Sequence, residues 1–210
     1  MNHSPANVWQ SADADVFWSE IARFDHVVQL YDNDVIFIDT LTGFVESAIR
    51  SNENAVIIAT DRHLTALEAK LESRGHKIDT LIVENRFIPV SAEETLHEFF
   101  INGKLDESRF MKVISGLLQH AKGNQKKVRA FGEMVAILWA QGNKEATVQL
   151  EHFWTKLAKQ DPFCVYCAYS KEILTSDEET VCGCHTRVIS GSERQLNHVS
   201  FRHSLDEGRK

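Results

Sequence analysis

Three groups of residues have types and spacings that could do chemistry. The first is Glu133, inside the run KVRAFGEMVAILW at 127–139. Val128, Ala130 and Phe131 are close-spaced and apolar, Gly132-Glu133 breaks the pattern, and Met134, Val135, Ile137, Leu138 and Trp139 resume it at helical spacing. This predicts a strand that ends on a carboxylate. In an open α/β sheet, ligands sit in the crevice outside the carboxyl ends of the strands. A plainer reading leaves Glu133 as a negative charge favoured at a helix N-terminus. The second group is Asp32 and Asp34, which follow a predicted strand, with Asp61 after the next one; all three also suit helix N-caps. The third is Cys164-x-x-Cys167 followed by Cys182-x-Cys184-His185, a spacing compatible with tetrahedral zinc. Against zinc, Cys164 and Cys167 stand three apart on a predicted strand and so point to opposite faces, whereas zinc knuckles place such a pair in a turn. The favoured reading is a buried thiol at Cys167, with no metal and no cofactor. Cys182 and His185 share a face if their segment is helical. There they could touch a ligand or respond to oxidation, or simply dock a helix with an exposed histidine. His26 opens a buried strand, where a lone histidine is ordinarily a satisfied core or edge residue.

The elements that must position these groups follow a regular rhythm. His26 to Tyr31 is a predicted strand, Asp32-Asn33-Asp34 a turn and N-cap, and Val35 to Ser51 an amphipathic helix. Ala55 to Thr60 is nearly all apolar, as a parallel strand buried on both faces should be. Thr60-Asp61 caps a helix over Arg62 to Arg74, stopped by Gly75. Two such units in series predict a parallel sheet. Short β-prone pieces follow at Thr80 to Val83 and Arg86 to Val90, then helices over Ala92 to Ile101 and Glu107 to Ala121. After the Val128 to Phe131 strand comes a helix broken near Gly142-Asn143, with a partner helix from Lys144 to Lys159. Phe163 to Tyr169 is the last predicted buried strand. A short helix, Ala12 to Ala22, is expected to dock on the body from an N-terminal extension over 1–24, and a polar tail follows from 194 to 210.

With 210 residues, 43% of them hydrophobic and three prolines, the chain suits one compact core. A net charge of -7 and a pI near 5.8 argue against a nucleic-acid binder, which needs clustered Lys and Arg. No apolar run reaches membrane-spanning length and no signal-peptide pattern opens the chain, so a cytoplasmic location without membrane contact is expected.

Five stretches, HVVQLYDND at the first strand, VRAFGEMVAILWAQGN, LEHFWTKLA, PFCVYCAYS and VCGCHTRV, together resemble the MEDS family of methanogen and methylotroph sensory domains, itself related to the KaiC and RecA-like fold. The resemblance covers 25–193. It implies a three-layer, mostly parallel α/β sheet flanked by helices, and a domain that recognises a small molecule, with simple hydrocarbon derivatives the proposed class. The family motif is built around Glu133, and Cys167, Cys182 and His185 fall on its typical positions, while Cys164 and Cys184 do not.

A RecA-like ATPase needs a glycine-rich loop and a lysine between its first strand and helix, so that backbone N–H groups and an ammonium cradle phosphates. Here the junction reads Tyr31-Asp32-Asn33-Asp34-Val35, with two carboxylates where anionic oxygens would go. No ATP hydrolysis is therefore expected. The candidate ligand-binding residues at the strand ends are Tyr31, Asp32, Asp61, Glu133 and Tyr169, joined by His26, Cys167, Cys182 and His185. The expected function is a non-enzymatic sensory module in signal transduction. The alternatives are a degenerate RecA-like nucleotide-binding protein or ATPase, and a phosphoacceptor receiver domain, which lacks a clean aspartate at the end of a later central strand. With no output domain recognisable, the module is expected to act through a protein partner such as a histidine kinase or an anti-sigma-type regulator, and the Lys144 to Lys159 helix offers a face for homodimerisation.

Overall fold

The computed structural model describes Trp18, residues 25–123, 125–174 and 177–190, and the backbone of His198–Phe201. Apart from Trp18, the expected N-terminal helix lies outside the described residues, as does the tail apart from 198–201. Nine strands and nine helices are described. The strands are β1 (His26–Tyr31), β2 (Asn54–Ala59), β3 (Phe87–Ser91), β4 (Phe100–Ile101), β5 (Lys104–Leu105), β6 (Val128–Gly132), β7 (Cys164–Ser170), β8 (Arg187–Ser190) and β9 (His198–Phe201). The helices are α1 (Asp34–Arg50), α2 (Asp61–Ser73), α3 (Ile78–Val83), α4 (Ala92–Phe99), α5 (Glu107–Lys122), α6 (Met134–Ala140), α7 (Lys144–Gln160), α8 (Lys171–Leu174) and α9 (Glu178–Gly183).

Seven strands form one sheet in the order β3-β2-β6-β7-β1-β8-β9. All pairs are parallel except the last, where β9 runs antiparallel to β8. The central strands are buried along their length because both faces are covered, and they are largely apolar apart from His26 and Gln29 on β1 and Arg129 on β6. On β7, Val165, Cys167 and Tyr169 enter the core formed with α4 to α7, while Cys164, Tyr166 and Ala168 enter the core formed with α1 and α2. This is a three-layer α/β/α domain, as the strand-helix rhythm predicts.

The local chemistry explains most of the boundaries. Asn33 caps α1 by accepting from the Ile36 N–H at 3.1 Å, Thr60 caps α2, and Asp106 caps α5 by accepting from Arg109 N–H at 3.0 Å. Pro89 sits in β3, an edge strand, where its missing N–H removes no ladder bond inside the sheet. Gly132 ends β6 beneath α7, and a Cβ there would stand 2.8 Å from the Trp154 ring, so the glycine permits that close approach.

Two expectations are corrected. Thr80 to Val83 belongs to helix α3 rather than a strand, because Ile78 and Leu81, three apart, bury one helical face against the α1 and α2 layer. The helix expected to reach Ile101 stops at Phe99, and Phe100–Ile101 turns back on Lys104–Leu105 through Asn102 and Gly103, both at positive φ.

Candidate functional site

The residues singled out by sequence fall into two groups on opposite sides of the sheet. The first lies at the carboxyl ends of β1, β2 and β6. Glu133 is there as expected, immediately after β6, with its N–H donating to the Ile58 carbonyl at 2.9 Å. It is only 6% exposed and makes no side-chain cap to α6. Instead its carboxylate accepts from the Thr60 N–H at 2.8 Å and meets His63 Nδ1 at 2.6 Å, so it braces the end of β2 and the first turn of α2. The His63 ring packs edge-on to Phe37, and its Nε2 stands 3.8 Å from Asp34, which is paired with Arg62. Asp32 pairs with Lys171 at 2.9 Å. Tyr31 is buried and stacked on Phe37 at 4.8 Å between ring centroids, on the α1 side of the sheet. Burial pushes its hydroxyl pKa up, and the Glu133 charge adds to this. Asp61 is exposed in the first turn of α2.

Burial alone would lower the His63 pKa, but the hydrogen bond and charge of Glu133, with Asp34 behind it, outweigh burial and raise it. The ion pair therefore contributes its full stability below the ordinary histidine value of 6.5 and loses it as pH rises through the raised folded value. Denaturant unfolding of the protein and of His63→Gln from about pH 5 to about pH 9 should show the stability gap narrowing on the alkaline side. The change is on the order of 1–2 kcal/mol, the size of a charge-assisted hydrogen bond. A gap independent of pH would contradict it.

The second group lies between β1, β7 and helices α7 and α9. His26 at the start of β1, Cys167 in the middle of β7, Glu151 on α7 and His185 just after α9 are all buried, and their ligand-type atoms lie within 4.8 Å of one another. Glu151 is the hub. Its Oε2 is 3.1 Å from His26 Nε2, 3.3 Å from His185 Nε2 and 3.4 Å from Cys167 Sγ, while its Oε1 accepts from the Tyr169 hydroxyl at 2.5 Å. Both imidazoles have their other nitrogen occupied, His26 Nδ1 by the Thr155 hydroxyl at 3.0 Å and His185 Nδ1 by the Val181 carbonyl at 2.8 Å. Burial, then the neighbouring His185, bring the His26 pKa down to about 4, against the pull of Glu151. For Glu151 burial works upward, but His185 and His26 outweigh it and hold the carboxyl well below its usual range. Burial, reinforced by Glu151, drives the Cys167 thiol well up.

Of the predicted residues, His26, Cys167, Tyr169 and His185 thus converge. Cys182 is buried on α9, and its carbonyl accepts from the His185 N–H at 3.2 Å. Cys164 faces the opposite layer, as its spacing from Cys167 predicts, and Cys184 is half-buried with its thiol donating to the Thr180 carbonyl. Sequence reasoning missed His63 and Glu151. The signal for each was a titratable residue on an inward stripe: His63 precedes Leu67 and Leu71 at intervals of four, and Glu151 shares the buried face of Thr147, Leu150 and Trp154. A separate cleft of about 330 Å³, lined among others by Lys126, Arg129 and Asp161, lies at the amino ends of the strands, away from both groups.

Among solved structures, the chain is similar to the KaiC-like protein PH0186 from the hyperthermophilic archaeon Pyrococcus horikoshii OT3. The TM-score is 0.54 at 12% identity, over 80% of this chain and 72% of that one, a likeness of fold alone. No curated protein matches the chain. A sequence model described as MEthanogen/methylotroph, DcmR Sensory domain matches residues 25–186, which span β1 to the foot of β8 and hold both groups of residues. The chain belongs to the MEDS family of sensory domains.

Proposed function

We propose that this domain senses a small molecule without turning it over and passes its state to a protein partner, with simple hydrocarbon derivatives as the ligand class. The observation that carries this reading is the β1–α1 turn. Its helix start is already capped by Asn33, Asp34 is held by Arg62 and Asp32 by Lys171, so the place where a RecA-type ATPase cradles phosphates is filled by carboxylates with their own partners. A nucleoside triphosphate would have to break both ion pairs to reach those cations and would then face two bare carboxylates. Among the described residues no helix is long and apolar enough to cross a membrane. None of the four cysteines is in a disulfide, which suits a reducing cytosol, and an output through a separate signalling protein such as a histidine kinase follows from the same reading.

A thermal-shift screen of one-carbon compounds, short alcohols, haloalkanes and nucleotides tests it, because a ligand that binds only the folded state raises the melting temperature. A small organic compound is expected to raise Tm, and ATP with magnesium is expected neither to shift it nor to be hydrolysed. ATP turnover that disappears in Glu133→Gln would overturn the reading.

A further inference from the structure

We propose that His26, Glu151, Cys167 and His185 form a four-ligand site for a divalent metal ion of the zinc class. The site is separate from the crevice at the strand ends and does not depend on which ligand binds there. Three observations carry it.

The first is the spacing. Four donors held at zinc bond lengths in a tetrahedron stand about 3.3–3.8 Å from one another. Around this centre four of the six separations are 3.1 Å from Glu151 Oε2 to His26 Nε2, 3.3 Å to His185 Nε2, 3.4 Å to Cys167 Sγ, and 3.5 Å from Cys167 Sγ to His26 Nε2, and all six lie within 4.8 Å, so that small side-chain shifts would close the tetrahedron.

The second is an orphaned atom. A carbonyl can only accept, so the contact with Val181 fixes the proton of neutral His185 on Nδ1 and leaves a lone pair on Nε2. That Nε2 is buried without a hydrogen-bond partner and aims at a carboxylate oxygen. In that neutral form two lone pairs face each other, an arrangement that a cation between them, a proton or a metal ion, resolves.

The third is the ring of outer partners. His185 is oriented by a backbone carbonyl, His26 by the Thr155 hydroxyl, and Glu151 by the Tyr169 hydroxyl on its other oxygen. Metal-binding imidazoles and carboxylates are ordinarily tied in this way through the atom that does not bind the metal.

The donor set of two imidazoles, one carboxylate and one thiolate suits zinc rather than magnesium or calcium, which take oxygen ligands. On binding, four coordinate bonds form and the Cys167 thiol gives its proton to solvent. The dication is then balanced by one thiolate and one carboxylate, leaving no net charge in the core. With four protein donors the site is closed, the pattern of structural rather than catalytic zinc.

Full-length protein purified without chelator and then incubated with zinc and desalted should carry about one equivalent of metal per chain. Cobalt loading should give the visible bands of a tetrahedral site together with a thiolate-to-cobalt charge-transfer band in the near ultraviolet. That band should vanish in Cys167→Ser and persist in Cys164→Ser, whose side chain lies across the sheet. Metal below about a tenth of an equivalent, or a charge-transfer band that survives Cys167→Ser, would overturn the site. Should Cys167→Ser not fold, the wild-type cobalt spectrum decides: a tetrahedral thiolate spectrum supports the site and its absence overturns it.

Discussion

Glu151→Ala is expected to lower the stability of the domain by roughly 3–5 kcal/mol, the cost typical of removing one partner from a buried ionic network. The carboxylate is 1% exposed and serves four neighbours at once. Its removal leaves the Tyr169 hydroxyl, itself buried, with no acceptor, a penalty of about 1–3 kcal/mol by itself. It also leaves two imbalanced imidazoles and a void on the inward face of α7. Glu151→Gln keeps an acceptor for Tyr169 and nearly the same volume, so its loss should be clearly smaller, and Tyr169→Phe smaller again. Urea unfolding of the three variants in the presence of a chelator separates this from any contribution of bound metal. Equal losses for Glu151→Ala and Tyr169→Phe would show that the hydroxyl alone matters and the imidazole contacts do not.

The strands of this fold were legible because the chain buries both faces of a parallel sheet, so β2 and β7 appear as almost unbroken apolar runs and β1 and β6 as mostly apolar ones. The helix starts were legible for a different reason. Asn33, Thr60 and Asp106 each hold a side-chain oxygen where the first turn has N–H groups to satisfy, and each accepts such a bond. Where local chemistry and tertiary contact disagree, the sequence misleads. Thr80-Leu81-Ile82-Val83 is β-prone residue by residue, yet Ile82 and Val83 are exposed and the burial of Ile78 with Leu81 decides for a helix. The Asn102-Gly103 pair is a strong hairpin signal, but the apolar Phe99-Phe100-Ile101 run before it continues the helical pattern of α4 and outweighs it in the sequence.

The candidate site was legible by halves. Glu133 was placed correctly at a strand end, since a strand that stops on Gly-Glu can put the carboxylate nowhere else. Its partner His63 was not, because nothing local links a residue in the first turn of α2 to one after β6. The same holds for Glu151. His26, Cys167 and His185 could be picked out by type, but the carboxylate that gathers them comes from the inward face of a helix that otherwise reads as plain amphipathic packing. Only the strand order, with β1 between β7 and β8, brings the four together.

Arg129→Met is expected to cost a similar 3–5 kcal/mol, for a reason rooted in the other end of the sheet. Arg129 is 7% exposed on β6, and its guanidinium pairs with Glu53 at 2.5 Å while donating to the Trp18 carbonyl at 3.2 Å and the Ser47 hydroxyl at 3.3 Å. It also lies 5.9 Å from the centre of the Phe44 ring, against which Trp18 packs edge-on. One side chain thus ties β6, α1, the turn before β2 and Trp18 together. Methionine fills much of the volume but leaves the Glu53 carboxylate with no counter-charge. Because a guanidinium cannot shed its proton, Glu53→Leu alone should be as damaging, stranding the cation instead. The double variant strands neither charge, so it should lose less than the sum of the two single losses, a coupling that equilibrium unfolding of all four proteins measures directly. Additive losses would mean that solvent already screens the pair and that Arg129 acts through packing alone.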